Sequence, residues 1–279
     1  MMLDNLLALF ALPVFSRALI ALLAGGLAFP AIGTFILNLE LLPARFAIMH
    51  AGLMGAAIGM AFGASPALVG MAACLLAGVC IALLSWKNDG GSGVKTSAGG
   101  ALGLVMTLCL GLTFIIFYKS NVQAAAAFNI FGGNILSLSR EDMFSAIIIA
   151  ALVLICIIVF YKEIQVVLYD CDIARASGLH AFPVYFGIIL LVCLSVAASM
   201  RVVGAFMVDA LTIIPALAAR KIGRTFKAVL IAGAIAGLVM NISGFLAAFI
   251  FDLPTSPAII LCGVIMLGLI SVFSLRHKF

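Results

Sequence analysis

The chain has 279 residues, 66% of them apolar and 9% charged, with a mean hydropathy of +1.36. That balance excludes a water-soluble globule, because too few polar side chains exist to coat one. The formal net charge of +5 calls for no nucleic acid as a partner, since its distribution reads as a membrane topology signal.

Apolar runs of about 17 to 25 residues, separated by short polar breaks, predict an all-α, polytopic transmembrane helical bundle; a barrel would show alternation instead. Spans are expected at about 16–37, 46–63, 65–85, 98–117, 143–161, 183–200, 202–219, 228–250 and 257–275. The count is eight or nine, because the sixth and seventh nearly abut and read equally well as one bent pair. The opening MMLDNLLALF lacks a basic leader, so insertion is expected to use the helices themselves. The segment NVQAAAAFNIFGGNILSLS, residues 121–139, is apolar but broken by Gly132, Gly133 and Asn134. It reads as a re-entrant or surface-lying helical piece. Residues 1–279 read as a single transmembrane domain, with a cytoplasmic segment at 162–180 inside it.

Basic residues set the orientation. With the loop ARKIGRTFK in the cytoplasm, strict alternation also places Arg45, Lys87, Lys95, Lys162, Arg175 and the terminal RHK inside. It leaves Arg17, Lys119, Arg140 and Arg201 outside. The N-terminus then lies outside. The segment YKEIQVVLYDCDIARASGLH, Tyr161 to His180, predicts two short helical turns broken near Asp170. It is either a solvated connection or a docking element for a cytoplasmic partner, since an amphipathic turn at the membrane surface needs something to pack on.

Several chemistries are excluded or left without a signature. GGSGVKTSAGG lacks the glycine directly before lysine that a phosphate-binding loop requires, and reads as a linker, so any ATP hydrolysis must come from another chain. No HExxH, GxSxG or aspartate-rich prenyl-diphosphate pattern occurs. The seven scattered cysteines read as packing residues. Ionisable residues remain at His50, Asp209 and, near a span end, Arg201. At about 100° per residue, Phe46, His50 and Met54 form one stripe, while Gly55, Gly59 and Gly63 fall on the opposite face, where a neighbouring helix can approach closely. His50 therefore points away from that contact, toward a cavity or toward a backbone carbonyl. Asp209 sits midway along the expected span 202–219, followed by Pro215. A carboxylate there is either paired for structure or part of a route.

The segments GTFILNLELLPARFAIMHAGLMGAAIG, FNIFGGNIL, LYDCDIARASGL, VVGAFMVDALTIIPALAARKIGRT and SGFLAAFIFDLPTSPAIIL, in that order and spacing, resemble the membrane permease of the manganese, zinc and iron(-chelate) ABC importers. The resemblance runs through nearly the whole chain. It implies a bacterial plasma membrane location and a pore made with a second permease copy, either identical or related. Two cytoplasmic ATPases would bind ATP, an extracytoplasmic protein would deliver substrate, and no cofactor would be bound by this chain. In that family the segment similar to YDCDIARASG meets the ATPase. This assigns coupling to Tyr169, Asp170, Asp172, Ala174, Arg175 and Gly178, of which Asp170, Ala174 and Gly178 match recurrent positions.

The resemblance also implies a metal-transfer pair, an aspartate followed four residues later by a histidine. His50 matches the histidine, but Phe46 stands at the aspartate position and Arg45 where a glycine is common. Three explanations follow. Asp209 supplies the missing oxygen as a second metal residue; a partner permease keeps the aspartate; or the substrate is a chelate or another nutrient, with Phe46 and Met54 lining the path. A non-metal importer and an ion-coupled secondary transporter using Asp209 as a proton relay are the competing readings. The second would normally show internal repeats, and none is detected.

Overall fold

The computed structural model describes residues 13–88, 99–120 and 138–276. Most of the linker before Gly100 lies outside the described residues, as do residues 121–137 of the expected re-entrant piece. Every regular element among the described residues is a helix. In order they are α1 Pro13–Asn38, α2 Leu42–Ala61, α3 Pro66–Asn88, α4 Gly99–Lys119, α5 Arg140–Val159, α6 Tyr161–Tyr169, α7 Cys171–Ala176, α8 Ala181–Val203, α9 Ala205–Ile222, α10 Phe226–Ile250 and α11 Thr255–Arg276.

Eight of these helices are long and apolar enough to cross a membrane. The expected span 202–219 corresponds to α9, which is not among the eight: Asp209, Arg220 and Lys221 fall within its 18 residues. At 1.5 Å per residue α9 is still about 27 Å long, near the thickness of a bilayer core. The nearly abutting pair is separated by one residue, Gly204, at φ +79°. Only glycine takes that conformation without strain, so it ends α8 and caps the start of α9. A proline lies inside each of α1 and α9, at Pro30 and Pro215.

The chain divides into two compact units. The first comprises residues 1–34, 131–152 and 199–279. Within it α9, α10 and α11 pack on one another, and small residues set their spacing. A Cβ on Gly33 of α1 would strike the Thr212 carbonyl of α9, so only glycine allows that approach. Asn241 of α10 is wholly buried and donates through Nδ2 to the Leu22 carbonyl at 2.8 Å. This bond fastens α10 to α1, and a polar side chain in an apolar interior requires such a partner. Phe15 meets Phe245 and Phe249 edge-on at 6.0 and 5.9 Å.

The second unit comprises residues 35–130 and 153–198. Its centre is α2, which packs on α3 and α4 and is 72% buried over its membrane-length window. Pro43 opens the helix, where its missing N–H costs nothing. A Cβ on Gly55 would sit 2.5 Å from the Ala73 Cβ and 2.8 Å from the Val69 carbonyl oxygen, and one on Gly59 2.9 Å from Pro66 Cα. Both glycines therefore face α3. Gly63 does not share that face: it lies beyond the end of α2 in a turn at φ +69°, with open space where a Cβ would point. The Cys74 thiol donates to the Ile48 carbonyl at 3.5 Å, so it packs and bonds as a buried small residue.

Candidate functional site

His50 lies on the side of α2 away from the glycines. Its Nδ1 is 2.8 Å from the Phe46 carbonyl oxygen one turn earlier. A carbonyl only accepts, so Nδ1 is the donor, and Nε2 is the ring nitrogen on which the neutral tautomer would carry its lone pair. Among the described residues no donor or acceptor meets Nε2. The carbonyl contact expected of a purely structural histidine is thus present, but it occupies one nitrogen and orients the other. Metal-binding histidines are commonly oriented in this way, by a hydrogen bond from the second ring nitrogen.

The stripe Phe46, His50 and Met54 is covered incompletely. His50 is 9% exposed, and Phe46 and Met54 are half-buried on a helix whose other positions are mostly buried. The Phe46 ring is also engaged, with the Arg45 guanidinium carbon 5.6 Å from its centre, a cation–π distance. Arg45 itself is fully buried, the fourth residue of α2. It is not a solvated loop cation, so it does not count toward the expected positive-inside pattern.

Asp209 is the fifth residue of α9, about 6 Å along the helix from its start. The mid-span position expected from sequence is corrected accordingly, because α9 begins after the Gly204 break. Asp209 is half-buried. Beside it Thr212 donates to the Val208 carbonyl at 2.8 Å. Asp209 belongs to the first unit and His50 to the second.

Residues 161–178 form the two short helices expected, α6 and α7, divided at Asp170 in extended conformation (φ −165°, ψ 124°). Asp170 caps α7: Oδ1 accepts from the backbone N–H of Asp172 at 2.6 Å and of Ile173 at 3.2 Å. An acidic cap satisfies donors that the helix leaves open and favours its positive end. At the other end Gly178 stands at φ +83°. Its N–H donates to the Arg175 carbonyl, and the Leu179 N–H to that of Ala174, both at 3.0 Å. This paired closure by a left-handed residue is the Schellman arrangement. Ile164, Val167, Leu168, Cys171 and Ala174 are buried, whereas Tyr169 is 82% exposed and Ile173 50%. The segment thus presents an exposed tyrosine and isoleucine among Asp170, Asp172 and Arg175.

Sequence reasoning missed Trp86, at the end of α3. The Arg175 guanidinium carbon lies 5.3 Å from its ring centre. Its rings also meet Phe182 at 5.1 Å and Tyr185 at 5.6 Å. The available signal was that the chain's single tryptophan adjoins Lys87, a lysine expected on the cytoplasmic side.

The model of the ABC 3 transport family matches residues 11–274. Over 262 residues the chain is 31% identical to the manganese transport system membrane protein MntC of Listeria innocua, covering 92% of this chain and 90% of the relative. It is 25% identical over 252 residues to the chelated iron transport system membrane protein YfeD of Yersinia pestis, covering 90% and 82%. In fold it is similar to PsaBC from Streptococcus pneumoniae in complex with Fab, with a TM-score of 0.83 at 23% identity over 97% of this chain and 95% of that one. The chain belongs to the ABC 3 transport family, as a multi-pass membrane permease subunit of an ABC transporter.

Proposed function

We propose that the chain imports a transition metal, as a bare ion or a chelate, along a path lined by Phe46, His50 and Met54. The names of its relatives, manganese transport for one and chelated iron for another, support that cargo class. The observation that carries the assignment is the His50 side chain: Nδ1 is held by the Phe46 carbonyl, leaving Nε2 as the ring nitrogen that can serve as a metal ligand, on the incompletely covered face of α2. ATP is hydrolysed by separate cytoplasmic subunits that dock on Tyr169 to Gly178. An extracytoplasmic binding protein delivers the cargo, and a second permease copy completes the pore. All 279 residues serve as one membrane domain, and ATP use alternates it between outward- and inward-open states.

The test is uptake of manganese, iron and zinc by cells expressing the permease with its ATPase and binding protein. His50→Ala should abolish uptake while the ATPase still copurifies, and wild-type uptake in that variant overturns the assignment. Asp209→Asn distinguishes the two cargo forms. A bare divalent ion entering a low-dielectric path needs an anionic oxygen to offset its lost hydration, so this variant should sharply reduce uptake, with Phe46→Asp restoring part of it. Normal transport by Asp209→Asn would leave the chelate, packed on the Phe46 ring, as the cargo.

A further inference from the structure

We infer that Trp86 is the seat that holds the Tyr169–Gly178 segment to the membrane helices, and so is a positioning residue for coupling ATP use to transport. The inference rests on the ATPase-docking reading of that segment. Arg175 is the link. Its guanidinium pairs with Asp172 at 3.1 Å and lies over the Trp86 ring at 5.3 Å, so the planar group is held by a carboxylate on its own helix and an indole on α3. From Trp86 the contact passes to α8 through Phe182 and Tyr185 at 5.1 and 5.6 Å, and Phe182 meets Phe186 at 5.8 Å. Tyr185 is wholly buried, which roots the cluster in the interior of the second unit.

The covalent connection from α7 to α8 runs through Gly178, Leu179 and His180, a short turn that contains a glycine and is exposed at Gly178 and His180. A displacement of α7 would be absorbed by that turn if nothing else joined the two. The aromatic cluster gives α7 a second, stiff connection, to α3 and α8 together. Stacked rings have few rotamers in which to yield, and the planar guanidinium, 38% exposed in its side chain, adds a face-on contact to the indole.

The experiment uses the complex of permease, ATPase and binding protein in proteoliposomes, with manganese, iron and zinc each supplied. It measures cargo delivered per ATP hydrolysed. Trp86→Leu is expected to lower that ratio about two- to fivefold, the equivalent of one cation–π contact, with the ATPase still bound, and Arg175→Met, which lies in the docking segment itself, to lower it by a similar factor. Trp86→Phe should recover most of it. The double variant should fall no further than either single one, as for two residues acting through one contact. Loss of folded protein alone lowers transport and hydrolysis together and leaves the ratio unchanged. In the purified permease Trp86 is the sole indole, so Arg175→Met should also shift its fluorescence emission. An unchanged ratio in Trp86→Leu and Arg175→Met, additive losses, or an unshifted emission overturns the inference. If Asp170→Arg instead binds the ATPase and transports normally, the docking reading fails, and the inference fails with it.

Discussion

Gly55 in α2 and Gly178 after α7 belong to the same unit, and each is glycine for a different reason. At Gly55 the backbone is ordinary helix, and the constraint is space: a single added carbon would meet the Ala73 Cβ at 2.5 Å. At Gly178 space is open, with nothing within 4 Å of an added Cβ, and the constraint is the φ of +83°. The first glycine works through tertiary packing, by letting α3 close on the side of α2 opposite His50. The second works through local backbone, by closing α7 on its own carbonyls. The contrast teaches that the interior of this unit is specified by neighbours, whereas its exposed Tyr169–Gly178 segment is specified by capping chemistry within a dozen residues.

The strongest way to break that contrast is to fill the packed site. Gly55→Val is expected to destabilise the protein by about 3 kcal/mol, the upper end of overpacking costs, because the Val69 carbonyl and the Ala73 methyl sit on backbone that cannot turn aside. Thermal unfolding in detergent checks this. Gly178→Val should cost about 1–2 kcal/mol through the left-handed conformation alone. Gly178→Asn should cost distinctly less, since asparagine tolerates that region. Equal losses for valine and asparagine would show that close contact, not φ, governs the position.

Asp170 sharpens the local side of the comparison. Asp170→Ala removes the acceptor for two backbone N–H groups and should destabilise α7 by about 1 kcal/mol, whereas Asp170→Asn should be near neutral. Faster hydrogen exchange at Asp172 and Ile173 in the alanine variant is the readout. The smallest effect concerns Cys171, whose thiol is pushed up from its ordinary value of 9.0 by burial, with Arg175 drawing it down and Asp170 and Asp172 raising it further. Because the folded value exceeds the unfolded one, any stability it contributes is present below about pH 9 and is lost as pH rises through the folded value. Alkylation of Cys171 should accordingly be slow at neutral pH, quicken as pH rises, and slow again in Arg175→Met.

Much of the fold was legible because its signals are local. Hydropathy runs located α10 to within two residues of Phe226–Ile250, and the near-contact of two runs anticipated the break at Gly204. The polar interruption at Asp170 anticipated the division of α6 from α7. The helical period likewise placed Gly55 and Gly59 opposite His50, since side-chain direction within one helix needs no knowledge of its neighbours.

Where the period was carried past the helix end it failed, as at Gly63, which turns out of α2. The place of Asp209 along its helix shifted for the same kind of reason, because it depends on where α9 begins. Composition sees Arg45 as one more cytoplasmic cation, and only the packed structure buries it in α2. The same holds for the bond that orients His50 and for the Arg175–Trp86 contact between residues 89 positions apart. By itself the sequence determined the solvent, the helices and their caps, because each depends on residues within a turn or two. Tertiary structure alone decided which polar groups found partners, because a membrane interior offers no water to satisfy them and leaves that task to whichever helix lies alongside.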